Sequence, residues 1–493
     1  MAGALLSSTL QRSPEAPALA WEGVTLSFGE LNAAADRLAG ELAVGPGERV
    51  AVVGPNVPAL AVGLFACWRA GAVAVPLSAR LRRFELQRTF ADAEPVAVVA
   101  VRARTGFALG EEIQAITEGT PSVRACLLVD ELGEVCDRVR RPAASQAPPE
   151  TGEIAAILYT SGTTGEPKGA LVRQDLAEAI GQNLADVLGE DAPAPYGLAA
   201  PASHAFGLGC LLAGVAAGAA GVMADVGTSV EPLVNALRSA GATVLHGTPA
   251  LFGRLERAGA ELSLRSGFVA GSRCPPELLQ ALDRRGATIL NLYGMTELGP
   301  IACCRPDDPP HTRFHTVGRP VNGCEVRINA GPRAEPGEIQ VRSSLLPSGY
   351  HRRPWGSDEL ADGEWLRTGD LGELDADGNL TIAGRAKELI NVGGFNVFPA
   401  EVESYLLTHP AIAGAAVIGV PHPVLGEALQ AVVVPTPGAI LEPREVIRFA
   451  RSGVAGYKVP YTVRVVEELP LLPSGKPDRR ALAGAAEPAE VTR

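Results

Sequence analysis

Apolar runs alternate with amphipathic, alanine- and leucine-rich stretches along the first 260 residues. Strand-like runs occur at 49–53, 72–76, 96–101, 154–158, 196–200 and 243–246, and helical patterns such as 57–69, 207–217 and 250–259 lie between them. Strands that alternate with helices are typical of parallel sheets, because each crossover between parallel strands is commonly a helix. The pattern predicts an α/β fold with a large N-terminal body of mixed parallel sheets and flanking helices.

The pattern changes near residue 316. Residues 317–382 are rich in Gly and Pro and contain short alternating runs at 326–328, 338–341 and 380–382, which predict a small β-barrel or a distorted sheet. Helical patterns at 401–407 and 444–452 then mix with strand patterns at 415–420 and 429–434. We expect the large body to end near residue 384 and a small α+β domain to follow from about residue 387.

Composition limits the classes of protein that fit. A chain of 493 residues is too long for one core, so two or three domains are expected. The net charge of −12 without any basic block predicts no nucleic-acid partner. The apolar stretch at 211–222 is too short for a membrane span, and residues 1–10 lack a basic signal region. Eight cysteines without a CxxC pair predict reduced thiols. We therefore expect a cytoplasmic protein that does not bind membranes.

The segment YTSGTTGEPKGA at 159–170 is the strongest chemical signal in the chain. Three glycines allow close approach of the backbone to a ligand, four hydroxyl side chains add donors, and Lys168 adds a positive charge. These features predict a loop that binds a polyphosphate. A P-loop is excluded, because that motif needs Ser or Thr after its lysine and Lys168 is followed by Gly169.

This segment resembles the signature of the adenylate-forming superfamily, which includes acyl-CoA synthetases, adenylation domains of peptide synthetases and beetle luciferases. The chain is most similar to an acyl-CoA ligase. The resemblance implies a large N-terminal domain at 1–384, a hinge at 385–388 and a small mobile C-terminal lid at 389–493. It also implies ATP, Mg²⁺ and coenzyme A as cofactors or co-substrates, and a small carboxylic acid as substrate.

Two further segments match the nucleotide site of that family. In NLYGMTELG at 291–299, the resemblance gives Tyr293 to adenine and Glu297 to Mg²⁺, although YGMTE alone is equally a loop before a helix N-cap. In WLRTGDL at 365–371, Asp370 would accept hydrogen bonds from the ribose hydroxyls. The full ATP/AMP-binding set implied is Thr160, Ser161, Gly162, Thr163, Thr164, Lys168, Ser272, Asn291, Tyr293, Gly294, Thr296, Asp370 and Arg385.

The resemblance also assigns the moving parts. Arg385 and Lys387 match a hinge segment, with Lys387 as the pivot. Lys476, in LPSGKPDRRAL, matches a lysine that enters the active site with the lid and bridges the attacking carboxylate and the α-phosphate. A point charge suits that place, since negative charge increases there in the transition state. The implied catalytic set is Lys476, Thr296, Glu297 and His204.

The acid pocket is implied around PASHAFGL at 201–208. His204 resembles the histidine that lies beside the carboxylate in acyl- and aryl-CoA ligases, and the predicted acid-binding set is His204, Ala205, Phe206, His246, Arg254 and Gly271. No acidic residue lies between 194 and 223, which disfavours an α-amino acid. Arg254 leaves a small diacid open, as in malonyl-CoA synthetases, beside an apolar, aromatic or medium-length acid.

The thiol acceptor is less defined. Gly393, Gly394 and Lys458 match positions that line a channel for CoA, which predicts CoA as the acceptor. No carrier-domain pattern follows residue 482, so a carrier protein would have to be loaded in trans, and a nucleotide-binding relative without catalysis is a third alternative. Arg273 and Asn391 depart from the family pattern, where a small residue and a lysine are common, and they bear on how efficiently the two steps run.

Overall fold

A computed structural model of the chain gives its architecture. The described ranges are 3–81, 83–102, 109–140, 142, 148–161, 167–224, 229–330, 336–347, 349–392, 395–422, 425–454, 456–472 and 475–484. Within these ranges the side chains at 109, 160, 161, 167, 387, 391, 395, 396 and 426 are not described.

Helices of the described chain are distributed over its whole length. They are α1 (Gly3–Arg12), α2 (Phe28–Leu42), α3 (Pro58–Arg69), α4 (Arg83–Ala93), α5 (Leu109–Glu118), α6 (Gln174–Leu188), α7 (Ala205–Ala217), α8 (Glu231–Ser239), α9 (Pro249–Arg257), α10 (Pro276–Arg284), α11 (Pro310–His315), α12 (Pro399–Leu406), α13 (Pro443–Gly453) and α14 (Arg479–Gly484). Short 3₁₀ turns lie at Gly189–Asp191, Ala386–Glu388 and Gly456–Lys458.

The strands of the described chain fall into four sheets. In chain order they are β1 (Pro17–Trp21), β2 (Val24–Ser27), β3 (Arg49–Gly54), β4 (Val73–Ser78), β5 (Ala97–Val101), β6 (Ala125–Val129), β7 (Val135–Arg140), β8 (Ile154–Ser161), β9 (Pro167–Arg173), β10 (Tyr196–Leu198), β11 (Gly221–Met223), β12 (Val244–His246), β13 (Ser266–Val269), β14 (Thr288–Met295), β15 (Gly299–Cys303), β16 (Arg319–Pro320), β17 (Glu325–Asn329), β18 (Gly337–Arg342), β19 (Gly349–Tyr350), β20 (Arg353–Pro354), β21 (Leu360–Ala361), β22 (Trp365–Leu374), β23 (Leu380–Arg385), β24 (Ile390–Val392), β25 (Phe395–Val397), β26 (Ile412–His422), β27 (Gly426–Pro435) and β28 (Thr462–Val465).

Two compact units contain these sheets. The first unit comprises Met1–Gly271, Pro276–Glu325 and Arg342–Leu360, and the second comprises Ser272–Pro275, Val326–Val341 and Ala361–Arg493. The first unit carries two large sheets, with strand orders β16-β15-β14-β13-β12-β10-β11-β1-β2 and β20-β19-β9-β8-β4-β3-β5-β6-β7. Their central strands are parallel and their outer pairs antiparallel, which confirms the predicted mixed parallel sheets.

The parallel strands are apolar because helices cover both of their faces. All residues of β3, β4 and β5 are buried, and Val and Ala dominate them. Such continuous apolar runs are typical of parallel strands buried on both sides. Between them, α3 begins with Pro58 at its first position and buries all but the last of its residues. The alternation seen in the sequence is therefore the alternation of the fold.

The second unit contains two smaller sheets. Strands β17, β18, β22 and β21 form one, with β23 paired antiparallel to β22, and this sheet occupies the region predicted to be a small barrel or distorted sheet. Strands β25, β24, β27 and β26 form the other, with β28 parallel to β27. Helices α12 and α13 cover it with an apolar core that includes Val402, Leu406 and Val446. The predicted boundary at residue 384 stays a prediction.

No helix of the described chain is long and apolar enough to cross a membrane. The run at 211–222 divides between the end of α7 and strand β11, as a core segment would.

Candidate active site

The predicted acid pocket and adenine platform lie at one edge of the first sheet. Strands β10, β12, β13 and β14 are parallel neighbours in that order, so their carboxyl ends lie together. His204 follows β10, Gly271 follows β13, and Tyr293 is close to the end of β14. The edge at the carboxyl ends of parallel strands is the usual ligand site of open α/β sheets. Sheet topology thus places at one edge two residues, His204 and Tyr293, that are 89 positions apart in the sequence.

His204 is placed by the start of α7. Its backbone takes the N-cap position with extended φ and ψ of −119° and 151°, and its side chain forms no capping hydrogen bond. Burial, with a smaller contribution from Arg80, lowers the pKa of His204 below its ordinary value. The imidazole is therefore neutral at pH 7 and can donate one hydrogen bond. Ala205 and Phe206 open the helix and are half-buried.

His246 lies in a buried aromatic cluster. Its side chain is fully buried, its ring stacks on Phe268 with centroids 5.1 Å apart, and Tyr196 meets it edge-on at 4.8 Å. Nδ1 accepts a hydrogen bond from the Phe268 backbone N–H at 3.2 Å. Burial lowers the pKa of His246 to about 3. The ring thus joins β12 to β13, and direct contact with the acid stays a prediction.

The remaining predicted pocket residues lie on the loops and helix after β12 and β13. Thr248 caps α9 by accepting from the Leu251 N–H, and Arg254 lies half-buried on the same helix. Gly271 adopts a φ of +94°, which favours glycine, and Gly271 and Ser272 are exposed. Contact of Arg254 with the distal carboxylate of a diacid stays a prediction.

The segment around Tyr293 is a β-hairpin and not the loop before a helix that its sequence equally allowed. Strand β14 runs through Met295 and pairs antiparallel with β15. Gly294 is needed in this hairpin, since a Cβ there would lie 2.3 Å from the Gly299 carbonyl oxygen. Tyr293 and Thr296 are half-buried. The buried Asn291 donates from Nδ2 to the carbonyls of Arg313 and Thr316, at 3.1 and 3.0 Å.

The predicted phosphate loop sits on a second hairpin. Strands β8 and β9 pair up to Thr160 opposite Lys168 and Ser161 opposite Pro167. The predicted residues Gly162, Thr163 and Thr164 lie outside the described residues, as do the side chains of Thr160 and Ser161. The hairpin is anchored at Tyr159, whose hydroxyl donates to Asp92 Oδ2 at 2.5 Å. The base of the loop is therefore fixed to α4.

Lys168 and Glu297 meet at one residue that sequence analysis missed. The Tyr350 hydroxyl donates to Glu297 Oε1 at 2.7 Å, and Lys168 Nζ lies 5.5 Å from the centroid of the Tyr350 ring. Glu297 is buried. The lysine of the first motif and the carboxylate of the second thus contact different parts of one tyrosine. No pattern marks Tyr350 in the sequence beyond a Gly-Tyr pair in a weak strand.

The second unit places three predicted residues together. Arg385 Nε lies 3.0 Å from Asp370 Oδ1, because β22 and β23 pair with Asp370 opposite Arg385. Much of the Lys476 side chain is exposed. Partial burial of the ammonium group, and to a smaller extent the charge of Arg385, lowers the pKa of Lys476, whereas Asp370 and Glu388 raise it. A lysine from the tail of the chain is therefore within electrostatic range of the predicted ribose-binding carboxylate.

The predicted hinge and CoA residues are only partly described. Lys387 lies in the 3₁₀ turn Ala386–Glu388, but its side chain is not described. Gly393 and Gly394 lie outside the described residues. Lys458 forms an ion pair with Glu401, with Nζ and Oε1 2.5 Å apart. If Lys458 binds a phosphate of CoA, its ammonium group would have to contact the phosphate and Glu401 at the same time.

A magnesium site would rest on few protein ligands. No group of three or more His, Cys, Asp or Glu side chains suited to a metal occurs among the residues that the structure covers. Mg²⁺ is commonly held by one or two carboxylates together with substrate phosphates. The buried Glu297, which contacts the same tyrosine as Lys168, fits that arrangement.

Comparison with known proteins agrees with this geometry. Residues 6–351 match the family model described as AMP-binding enzyme, and residues 401–476 match the model for the C-terminal domain of the same enzymes. The chain belongs to the family of AMP-binding enzymes. It is 33% identical to a feruloyl-CoA synthase of Amycolatopsis over 484 residues, covering 94% of each protein. It is 32% identical to a 2-succinylbenzoate–CoA ligase of Bacillus cereus, covering 90% of this chain and 89% of the relative.

A solved structure supports the same family. The o-succinylbenzoate CoA synthetase of Bacillus subtilis, in complex with its acyl-adenylate intermediate, matches with a TM-score of 0.82 at 28% identity, covering 99% of both chains. The predicted adenylate-forming fold is confirmed, as is the prediction of an AMP-forming acid–thiol ligase. The roles of individual residues stay predictions.

Proposed function

We propose that this enzyme activates an aromatic or other apolar carboxylic acid as its acyl-adenylate and transfers the acyl group to CoA. In the first step a carboxylate oxygen attacks the α-phosphorus of ATP and pyrophosphate leaves. In the second step the CoA sulfur attacks the acyl carbon, the bond to AMP breaks, and the thiol proton passes to solvent. The observation that carries this proposal is the meeting of Lys168 and Glu297 at Tyr350, which joins the phosphate motif to the metal motif.

Charge complementarity supports the roles of these residues. Lys168 and the β8–β9 hairpin would bind the β- and γ-phosphates, and Tyr293 would lie beside adenine at the end of β14. Asp370 would accept from the ribose hydroxyls, and its partner Arg385 would face the phosphates. Lys476 would hold the carboxylate and the α-phosphate together, offsetting the repulsion between two anions.

Glu297, with Thr296 next to it, would hold Mg²⁺ together with the ATP phosphates. The bound ion supplies Lewis-acid stabilisation of charge on the phosphate oxygens. The protein contributes a buried carboxylate whose orientation is set by the Tyr350 hydroxyl.

The acid class follows from the pocket and from the relatives. A neutral His204 can donate to a carboxylate without adding a charge, and no carboxylate of the 194–223 segment is available to pair with an α-ammonium group. Feruloyl and succinylbenzoyl groups, named for two relatives, both contain an aromatic ring. A half-buried Arg254 keeps a small diacid as the second candidate, because a guanidinium pairs well with a distal carboxylate.

CoA is proposed as the acceptor because both curated relatives are CoA enzymes. A carrier protein loaded in trans is the alternative. Incubating enzyme, ATP, Mg²⁺ and a cinnamic-type acid with CoA, or with a holo-carrier protein, and weighing the products distinguishes the two acceptors. A CoA thioester supports the proposal, and an acylated carrier with no CoA thioester contradicts it.

A test of the two-step mechanism uses Lys476→Ala. We expect adenylate formation to fall by about 10²- to 10³-fold, the usual loss for one preorganised transition-state donor. Thioester formation from supplied acyl-adenylate should change by less than about threefold, since the proposed lid movement withdraws Lys476 from the site before that step. Arg480→Met is the matched control, because Arg480 is an exposed cation four residues away. Equal losses in both steps would contradict the proposed role of Lys476.

A further inference from the structure

Tyr350 contacts two groups of the proposed ATP site through different parts of its side chain. Its hydroxyl donates to Glu297 Oε1 at 2.7 Å, and its ring lies below Lys168 Nζ at 5.5 Å. The phenolic O–H is the donor in this contact, because a carboxylate oxygen only accepts. Hydrogen bonds to an ionised acceptor are roughly twice as strong as neutral ones.

The position of Tyr350 is fixed by strand pairing. Strand β19 pairs with β9, with Tyr350 opposite Ala170, and with β20, with Tyr350 opposite Arg353. The His351 N–H donates to the Gly169 carbonyl at 2.7 Å, immediately after Lys168 in β9. Trp355 packs edge-on against the Tyr350 ring, with centroids 4.7 Å apart. The ring is therefore tied to the strand that carries Lys168.

Glu297 depends more on its side-chain contact. It lies in the turn between β14 and β15, where the Leu298 N–H donates to the Met295 carbonyl at 3.3 Å. The turn fixes the backbone, but a glutamate has three rotatable side-chain bonds between Cα and its carboxylate. A hydrogen bond to one carboxylate oxygen limits the orientation of the whole group.

We propose that Tyr350 is a positioning residue that orients the Glu297 carboxylate toward the metal–phosphate complex and holds Lys168 above its ring. This inference rests on the proposed function. The hydroxyl acts on the metal ligand and the aromatic face acts on the phosphate lysine, so the two effects separate on substitution. Tyr350→Phe removes only the hydroxyl, whereas Tyr350→Leu removes both contacts.

Metal binding separates these effects without measuring turnover. Free Mn²⁺ is followed by electron paramagnetic resonance as it is titrated into enzyme with ATP, and ATP binding without metal is measured by equilibrium dialysis. For Tyr350→Phe we expect Mn²⁺ to bind the ATP complex about tenfold more weakly, as for a lost hydrogen bond to a charged group. Metal-free ATP affinity should stay within about twofold, since the aromatic face remains. Tyr350→Leu should weaken both.

Two reference variants calibrate the result. Glu297→Gln should weaken Mn²⁺ binding at least as much as Tyr350→Phe, and the double variant should be no weaker than Glu297→Gln alone, because the two residues act as one unit. Tyr405→Phe is the matched control: its hydroxyl lies 3.3 Å from the Phe449 carbonyl and from Ser452 Oγ in the second unit. We expect Tyr405→Phe to bind metal and nucleotide like the wild type.

The outcomes distinguish the inference from the proposed function. If Glu297→Gln loses Mn²⁺ while Tyr350→Phe binds it as the wild type does, the role of Tyr350 is wrong and the proposed function stands. If Tyr350→Phe loses metal-dependent and metal-free binding equally, the residue acts by general stabilisation and the inference is also overturned. If Glu297→Gln binds Mn²⁺ like the wild type, the metal site itself and the inference fail together.

Discussion

Arg479 anchors the loop that carries Lys476, three residues earlier in the chain. Its Nη1 donates to Glu403 Oε1 and to the Val417 carbonyl, both at 2.6 Å, and its Nη2 donates to Glu403 Oε2 at 3.1 Å. Nε lies 3.4 Å from Glu388 Oε2. A single guanidinium thus joins the tail to α12, β26 and the predicted hinge turn. We predict that Arg479→Met impairs adenylate formation specifically.

The magnitude follows from the burial of the pair. The side chains of Arg479 and Glu403 are 23% and 13% exposed, so removing the cation leaves a mostly buried carboxylate with less compensation. Breaking a buried pair in this way costs about 3–5 kcal/mol of stability, and the partial exposure of Arg479 favours the lower end. A displaced catalytic group costs about 10²-fold in rate for roughly 1 Å of misplacement. We therefore expect adenylation to fall by about 30- to 100-fold.

The assay compares three measurements on the same variants. Urea unfolding gives stability, ATP–pyrophosphate exchange gives adenylation, and CoA thioester formation from synthetic acyl-adenylate gives the second step. Arg479→Lys should recover part of the adenylation, since it restores the charge but not the two-pronged contact with Glu403. Arg480→Met, which changes an exposed neighbour, should match the wild type in all three. Equal losses in both half-reactions of Arg479→Met, or full adenylation despite the lost stability, would refute the reasoning.

Three further predictions concern other buried or charged groups. The sequence contains only four lysines, Lys168, Lys387, Lys458 and Lys476. Partial burial and Arg385 lower the pKa of Lys476 while Lys458 is paired with Glu401, so a substoichiometric amine-reactive ester near pH 7 should label Lys476 before Lys458. Peptide mass spectra that show the reverse order would contradict this prediction. Arg49→Met should lower the free energy of unfolding, measured by urea titration, by about 3–5 kcal/mol. The buried guanidinium of Arg49 donates to the carbonyls of Ala93 and Pro148 and lies 3.6 Å from Glu150. Arg138→Met, at an exposed ion pair with Glu41, should cost at most about 1 kcal/mol in the same titration. Burial holds the pKa of His246 at about 3, below its value in the unfolded chain, so acidification protonates the unfolded chain first and stability falls. Between pH 7 and pH 5.5 this residue alone should lower the free energy of unfolding by about 1 kcal/mol. The variant His246→Phe should lose that pH dependence.

Much of the large body could be predicted because its local patterns agree with its fold. The runs at 49–53 and 96–101 are buried parallel strands, and the helical pattern at 57–69 is α3. The length and composition of an apolar run are enough to predict a strand that is buried on both faces. The nucleotide motifs could be placed in order along the chain for the same reason, since each is contiguous in sequence.

Features that depend on contacts between distant segments could not be predicted. Tyr350 is important through Glu297, which is 53 residues away, and through a strand pairing that only the fold creates. Taken alone, YGMTE equally allowed a loop before a helix N-cap, and only its pairing with β15 shows that it forms a hairpin. The hydrogen bond that His246 Nδ1 accepts from the Phe268 backbone N–H likewise joins two strands, and no local pattern marks it.

The central claim is that this site joins a carboxylic acid to AMP, and acid-dependent exchange of labelled pyrophosphate into ATP tests it most directly. With Mg²⁺ and a panel of cinnamic, benzoic, medium-chain and small dicarboxylic acids, we predict exchange that requires an acid and is strongest for an aromatic member, with an acyl-adenylate of the expected mass. Absence of acid-dependent exchange across the panel, in protein that binds ATP, would contradict the account.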